Sequence, residues 1–400
     1  MSFKVTLCFI LISVCPLDAQ FESGSDGSDG ALSITTPGDF LFVASAFDPP
    51  LDQDGDGIFN FTTINVAADV TVKYPASSGP IYWLATGTVK IDGALNLNGG
   101  DGHNGGDVHF RASPGTGGFS GGMGGTQVNP PEPGNGPGRG LPNSTNCCDA
   151  GGAGYAGDGQ DGANASTGGK TYGNLYLLPM IGGSGGAGAH EWAGSNGSGG
   201  GGGGGAILIA SSKEIIVDGS IEANGGNGGS NVGVDGGGGS GGAIRLVAPI
   251  VRGAGLLSAK GGTGGGFGAP GRIRIEGNVF SGTVNGSSTS GPPGLLFLSA
   301  DQAPVRIVSI DGIEIPAIPH GGFVPPDVTI SNAAPVNLVI AARGVPVDTV
   351  ITLTLIPEFG QPISVESTPL IGTIENSTAT ASVSVPFGFS RFFVQANWNP

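Results

Sequence analysis

The sequence predicts an all-β protein: a glycine-rich parallel β-solenoid (a three-sided β-helix) followed by a small immunoglobulin-like β-sandwich. Three observations lead there. One stretch recurs without a gap, IYWLATGTVKIDGALNLNGG at 81–100 and ILIASSKEIIVDGSIEANGG at 207–226. Glycine supplies 81 of the 400 residues and runs between the copies. From residue 301 the glycines thin out and short apolar–polar alternations take over.

The repeat carries the solenoid prediction. In register, Ile81 meets Ile207, Trp83 meets Ile209, Val89 meets Ile215, Ile91 meets Val217 and Leu95 meets Ile221, with Asp-Gly and Asn-Gly-Gly at the same offsets. A third copy begins at Ile244 (IRLVAPIVRGAGLLSAKGG) and a truncated fourth at Ile273 (IRIEGNVFSGTV). A unit of about twenty residues cannot bury its own apolar face, so copies must stack. Within the first copy, Ile81/Trp83, Val89/Ile91 and Leu95/Leu97 alternate with polar residues, which sends each set to one face. Ala85-Thr86-Gly87, Asp92-Gly93 and Asn98-Gly99-Gly100 separate these runs as turns. Three runs and three corners predict three walls.

The rest of the chain is organised around that unit. Residues 1–19 read as a secretory signal: Lys4, the apolar stretch Val5–Val14, and small residues ending at Ala19. Cleavage before Cys15, as in a lipoprotein, is the alternative, although Val14 and Pro16 flank that cysteine poorly. Residues 20–57 are expected as a linker and acidic N-terminal segment, 58–300 as the solenoid with a long insertion near 101–205, and 301–400 as the sandwich. Thr349–Pro357, Thr378–Pro386 and Arg391–Trp398 are its clearest strands. The glycine excursions are expected to leave and re-enter at one corner, using glycine's tolerance of tight reversals. The apolar island Tyr172–Ile181 either pins the long excursion to the flank or exposes a patch for a partner. No later run has the apolar length of a membrane span. The mature chain is therefore expected to be secreted, at the cell surface or in the periplasm, and not membrane-spanning.

Fifteen basic against 31 acidic residues give a net charge of −16. That balance argues against nucleic acid as a partner, because phosphate binding needs Lys and Arg. It favours solubility and divalent cations. Cys147 and Cys148, adjacent in a Gly/Pro/Asn-rich loop, are not a metal motif; a bond between them is strained, and a loop detail is the plainer reading.

Asp52-Gln53-Asp54-Gly55-Asp56-Gly57 fits the opening of a calcium loop, D-x-[DN]-x-[DN]-G. Alternate carboxylates can converge on a hard cation, and Gly57 permits the sharp turn. Asn60 holds the ninth position, but Thr63 stands at the twelfth, where a bidentate Glu belongs. Asp52, Asp54, Asp56 and Asn60 thus form a candidate weak calcium site, with a solvated acidic turn as the competing reading. No other cofactor and no catalytic residue is expected. Asp101, His103, Asp107 and His109 offer zinc or acid–base chemistry, yet their spacing matches no metal motif and loop polarity accounts for them. His190-Glu191-Trp192 sets an acid beside an aromatic, which suits sugar stacking. Arg245, Arg252, Lys260, Arg272 and Arg274 lie on the later copies, with Arg245 and Arg274 at equivalent outward positions. They are either a basic ladder of the kind a polysaccharide lyase needs or outward charges that discourage edge pairing. Thr86-Gly87-Thr88 is the only Thr-x-Thr in the repeats, too little for an ice-binding face.

Gly199–Ser211 (GGGGGGGAILIAS), Gly236–Ala248 (GGGGSGGAIRLVA), Gly271–Glu276 (GRIRIE) and Tyr172–Gly186 (YGNLYLLPMIGGSGG) resemble a group of exported, glycine-rich bacterial proteins with GGGGxGGAIRLVA-type repeats. The resemblance covers roughly 58–285 and implies no activity or catalytic residue. At the level of fold alone, the coil is similar to pectate-lyase-type β-helices and β-helical adhesins. The function expected is an exported structural or adhesive protein without catalysis, meeting polysaccharide or other cell-surface components. The alternative is a carbohydrate-active β-helix enzyme or a carbohydrate-binding protein. Carboxylates along one solvent-facing ladder favour the alternative; stacked Asn, Thr and Ser favour the first.

Overall fold

The structure, a computed structural model, describes residues 21–396 except 77–78, 143–147, 165, 191–195, 232, 279, 298–303, 317–318, 320–325 and 332–333. The described residues are all-β, with one short 3-10 turn at Ala44–Ala46. None of their helices is long and apolar enough to cross a membrane.

The first part of the chain supplies parallel strands. They are β1 (Gly30–Ile34), β2 (Gly38–Leu41), β3 (Ile58–Val66), β4 (Val70–Lys73), β5 (Ile81–Ala85), β6 (Val89–Ile91), β7 (Ala94–Asn96), β8 (Ala206–Ser211), β9 (Glu214–Val217), β10 (Ser220–Glu222), β11 (Ala243–Arg252), β12 (Leu256–Ser258), β13 (Arg272–Asn278), β14 (Thr283–Asn285) and β15 (Ser287–Gly291). They form a nine-stranded sheet and a six-stranded sheet ordered β14-β12-β10-β7-β4-β2. The copies are neighbours in register: Ile81 pairs with Ile207 and Trp83 with Ile209, Val89 with Ile215, Leu95 with Ile221, Ile207 with Ile244, and Ile244 with Ile273. Their side chains pile up in one buried apolar cluster with Val66, Val72, Ile91 and Leu257.

The expected three-sided solenoid with an immunoglobulin-like sandwich behind it nevertheless does not describe the molecule. Two of the three expected walls are a single sheet. β3 pairs with β5 along its first half and with β6 along its second; β11 does the same with β8 and β9. These pairings close β3, β5, β8, β11, β9 and β6 into a ring. The break at Thr86-Gly87 fails as a corner because its amides still donate downward, Thr86 to the Phe61 carbonyl (3.1 Å) and Gly87 to that of Thr62 (2.8 Å). The stack also starts earlier than expected. β1 and β2, inside the segment read as linker, form a further coil in which Leu32 pairs with Ile64 and Asp39 with Thr71.

The third expected boundary opens into a second body. The glycine segments do not loop out at a corner; they lie side by side as extended rods, and Gly199–Gly205 are buried. Their bonding repeats every third residue. Gly199, Gly202 and Gly205 donate to His103, Gly100 and Leu97; Gly200, Gly203 and Ala206 donate to Gly122, Phe119 and Thr116; Gly201 and Gly204 donate to Gly237 and Ser240. That is the pattern of a threefold extended helix, which has no internal hydrogen bonds and turns each successive amide about 120° to a new neighbour. The rods approach too closely for side chains. A Cβ at Gly203 would sit 2.0 Å from the Gly183 carbonyl oxygen, and one at Gly201 2.0 Å from that of Gly226.

The C-terminal part is antiparallel: β16 (Val305–Ile310), β17 (Ile313–Glu314), β18 (Val336–Ala342), β19 (Ile351–Pro357), β20 (Ile363–Glu366), β21 (Ile371–Thr373), β22 (Asn376–Val383) and β23 (Ser390–Ala396). Sheets of order β17-β16-β18-β22-β21 and β20-β19-β23 share a core that includes Leu338, Ile340, Leu353, Leu355, Ala379 and Ala381. This part docks on the glycine body. Arg391 donates from Nη1 to the Gly117 carbonyl (3.0 Å) and lies 5.2 Å over the Phe119 ring; the Gly360 amide donates to Asn135 Oδ1 (2.8 Å).

Gly203→Ala, which sets a methyl against backbone with no room to yield, is expected to cost about 1–3 kcal/mol or more of stability. Gly157→Ala, where a Cβ meets nothing within 4 Å, is expected to stay within about 0.5 kcal/mol of the parent. Urea unfolding of the two variants checks the contrast.

Candidate functional site

The acidic loop before β3 is shaped by its backbone. Asp52, Gly55 and Gly57 take φ of 55°, 71° and 76°, the left-handed region that glycine enters freely and Asp tolerates. The Gly57 amide donates to both Asp52 oxygens (3.2 Å each), and the Ile58 amide donates to Asp56 Oδ1 (2.8 Å). One carboxylate oxygen from each of Asp52, Asp54 and Asp56 then lies within 4.8 Å of the others, an arrangement that can hold a metal ion. Asn60 does not join it: its side-chain amide turns to the Ile58 carbonyl (3.5 Å). Asp29 fixes both ends of the loop, accepting from the Asp52 amide at 2.8 Å and the Asn60 amide at 2.6 Å. Nothing local in the sequence marks that role, because Asp29 acts from a distant turn. Burial pushes the Asp52 carboxyl up to about 6; the Gly57 amide opposes this, while the Asp56 charge and a hydrogen bond to Asp54 reinforce it.

A second arrangement follows from the rods. On an outer rod every third amide faces away from the body, and a side-chain oxygen of the neighbouring rod satisfies it. Asn98 Oδ1 accepts from the Asn224 amide (2.7 Å), and Asn224 Oδ1 accepts from the Lys260 amide (2.8 Å) and the Ser258 hydroxyl (2.7 Å). One turn along, Asp101 Oδ1 accepts from the Asn227 amide (2.7 Å), and Asn227 Oδ1 accepts from the Thr263 amide and hydroxyl (2.9 and 2.8 Å). Asn104 Oδ1 and the Ser230 amide continue the series at 3.0 Å. Stacked Asn, Asp, Ser and Thr thus line one face.

The other singled-out residues serve as braces. His103 is buried; its Nε2 accepts from the Gly124 amide (3.2 Å) and its Nδ1 donates to the Asn104 carbonyl (3.1 Å), which fixes the neutral ring. Burial lowers its pKa. His109 stacks on it with ring centroids 4.5 Å apart, while Asp101 is taken up by the ladder. Glu191 and Trp192 lie outside the described residues, as does Cys147; Cys148 is in a disulfide.

The basic ladder also needs correction. Arg245 and Arg274 are register partners, but Arg245 is 1% exposed. Glu276 Oε1 accepts from Arg245 Nε (3.1 Å) and Arg274 Nε (2.6 Å), and the Leu295 and Leu296 carbonyls take up the rest of Arg245. Arg272 donates to the Tyr172 carbonyl (3.2 Å), and Arg252 pairs with Glu214 (2.9 Å). These cations do not converge on an open groove; two of them neutralise one buried carboxylate. The island Tyr172–Ile181 divides: Leu177, Met180 and Ile181 are buried against Tyr82 and Leu208, while Leu175 and Tyr176 are exposed.

No known protein family, no curated protein and no solved structure matches this chain.

The raised Asp52 pKa fixes a sign. The folded chain holds this proton up to about pH 6, while the ordinary value is 3.8. Asp52 therefore favours the fold below the ordinary value, and that contribution is lost as pH rises through about 6. Asp52→Asn, which cannot ionise, is expected to flatten this part of the stability–pH curve, as measured by urea unfolding at a series of pH values.

Proposed function

We propose that the chain is an exported structural or adhesive protein without catalytic activity, secreted or held at a cell surface, where it meets polysaccharide or other surface components. The polar ladder supports this reading most. A carbohydrate-active enzyme keeps carboxylates free at a solvent-facing site to protonate or abstract. Here the matching row is Asn98, Asp101, Asn224, Asn227, Ser258 and Thr263: the Asn oxygens accept from backbone amides and from the Ser258 and Thr263 hydroxyls, and the Asp101 carboxylate is bound to the Asn227 amide. The arginines of the later coils are likewise engaged as braces. Export is supported by the signal-like pattern of residues 1–19, and a carbohydrate or protein partner rather than nucleic acid by the net charge of −16. Incubation of the purified protein with a panel of polysaccharides, scored for both retention and turnover, tests it. Retention without new reducing ends or unsaturated products is expected; turnover of any member overturns the reading.

We assign calcium to the Asp52, Asp54 and Asp56 loop, because an all-oxygen, carboxylate-rich ligand set suits a hard cation. Three carboxylates without a bidentate Glu imply weak affinity, roughly 10⁻⁴–10⁻³ M, as in extracellular modules. Calorimetric titration is expected to show saturable calcium binding that Asp54→Ala abolishes and that weakens below about pH 6, where Asp52 is protonated. Unchanged binding in Asp54→Ala removes calcium from the loop and leaves the structural reading intact.

A further inference from the structure

Asparagine precedes glycine at seven positions of the chain. This pair is prone to deamidation, because no β-carbon hinders the glycine amide on its way to the asparagine carboxamide. At five of the seven that amide is held: Gly99, Gly105, Gly197, Gly225 and Gly228 donate to carbonyls of neighbouring segments at 2.7–3.0 Å. At the sixth, Asn135, the side chain is buried and engaged at both ends, Nδ2 with Ser120 Oγ (3.0 Å) and Oδ1 with the Gly360 amide (2.8 Å). The seventh, Asn285, stands on the last coil. Leu97, Ala223 and Ala259 share one register position, just after the paired residues of β7, β10 and β12. Each of their amides donates to the next coil, to the Glu222, Ser258 and Asn285 carbonyls, all at 2.7 Å. Gly286 is the next member of that series, since Asn285 pairs with Ser258, but β14 is the end strand of its sheet. Gly286 is exposed, and neither its amide nor the Asn285 side chain has a hydrogen-bond partner among the described residues.

We propose that Asn285 is a site of spontaneous deamidation in the folded chain, and that hydrogen bonding in the glycine body protects the other six pairs. The Gly286 nitrogen attacks Asn285 Cγ, and the new C–N bond closes a succinimide. The Cγ–Nδ2 bond breaks; the amide proton passes through solvent to the departing nitrogen, which leaves as ammonia. Water then opens the ring at either carbonyl, giving aspartate or isoaspartate. Ring closure needs the end of β14 to move, and a strand of three residues paired on one side only opens more readily than a strand between two neighbours. Either product adds a negative charge at the open end of the stack. Isoaspartate also lengthens the main chain by one carbon where β14 turns into β15.

The test uses the full chain. The folded protein is held in mildly alkaline buffer, and peptide mapping follows aspartate and isoaspartate at each Asn-Gly pair over time. Asn285 is expected to convert first. Asn224 and Asn227 are expected to lag roughly thirtyfold, the factor two net hydrogen bonds supply, because both the asparagine oxygen and the following amide must be released. In urea the seven rates are expected to converge, since the dipeptide is the same at each. Conversion of Asn285 no faster than that of Asn224 in the folded chain overturns the assignment. So does a lead of Asn285 that persists in urea, because sequence and not the missing coil would then set it.

Discussion

A buried rod of glycine has neighbours on three sides, no water for its amides and no space for a Cβ. Each amide must therefore find a carbonyl on another rod, as Gly199 finds His103, Gly200 finds Gly122 and Gly201 finds Gly237. Glycine loses more conformational freedom on ordering than any other residue, and rods bury little apolar surface in return. Among the described residues, one apolar cluster within this body holds Ala150, Ala187, Ala189 and Val234, and its larger side chains, such as Phe119, Tyr155 and Leu177, pack in a cluster shared with Tyr82 and Leu208 of the sheet. The rods cannot meet that cost alone; the parallel sheets beside them help. Gly205 runs straight into β8, Gly242 into β11 and Gly271 into β13. Strands in a sheet lie about 4.8 Å apart, so the stacked Ile207, Ile244 and Ile273 deliver successive rods already spaced for bonding. The apolar core fixes the height of each rod, and the hydrogen bonds between rods fix its direction.

The same constraint explains how polar residues are used. A rod at the edge of the body has a third amide with no glycine to receive it, and Asn98, Asp101, Asn104, Asn224 and Asn227 each supply a side-chain oxygen to the next rod. Elsewhere in the body Asp161 accepts from the Gly168 amide (2.7 Å) and Asp158 from the Thr171 amide (2.8 Å). Asp101, Asp158 and Asp161 thus use carboxylate oxygens to close backbone valences. The Arg245–Glu276–Arg274 cluster does comparable work where the last coils meet the Leu295–Leu296 segment. An isolated buried charge would be very costly, so the carboxylate is kept only because two guanidinium groups and the Gly294 amide surround it.

What the sequence disclosed followed the range of each signal. The matching of Ile81 to Ile207 and of Val89 to Ile215 was legible because a period of two is written into each strand. The acidic loop was legible because its carboxylates fall within six consecutive positions; Asp29, which holds both its ends, was not. Thr86-Gly87 has the composition of a corner, and only its bonds to Thr62 and Phe61 reveal a sheet running on. The rods leave a trace that spacing rather than composition carries: Asn98, Asp101 and Asn104, then Asn224, Asn227 and Ser230, stand at every third position, the period of a threefold helix. Arg245 looked outward because strand alternation says which way a side chain points and not what later folds over it.

A body built from glycine also dictates what can attach to it. Where its glycines reach the surface they present backbone carbonyls, so a neighbour docked there must bring donors. The C-terminal part does so with Arg391, whose guanidinium reaches the Gly117 carbonyl and covers the Phe119 ring. Burial pulls that arginine down to about 10, which leaves it charged at neutral pH. Arg272 meets the Tyr172 carbonyl in the same way. Guanidinium suits this task better than ammonium: it is planar, offers several fixed donors and is less strongly hydrated, so one face can stack on an aromatic ring while its edge bonds to a carbonyl. A lysine at 391 would keep the charge and lose both geometries, leaving contacts such as the Gly360 amide on Asn135 and Arg111 over the Phe359 ring to hold the C-terminal part to the glycine body.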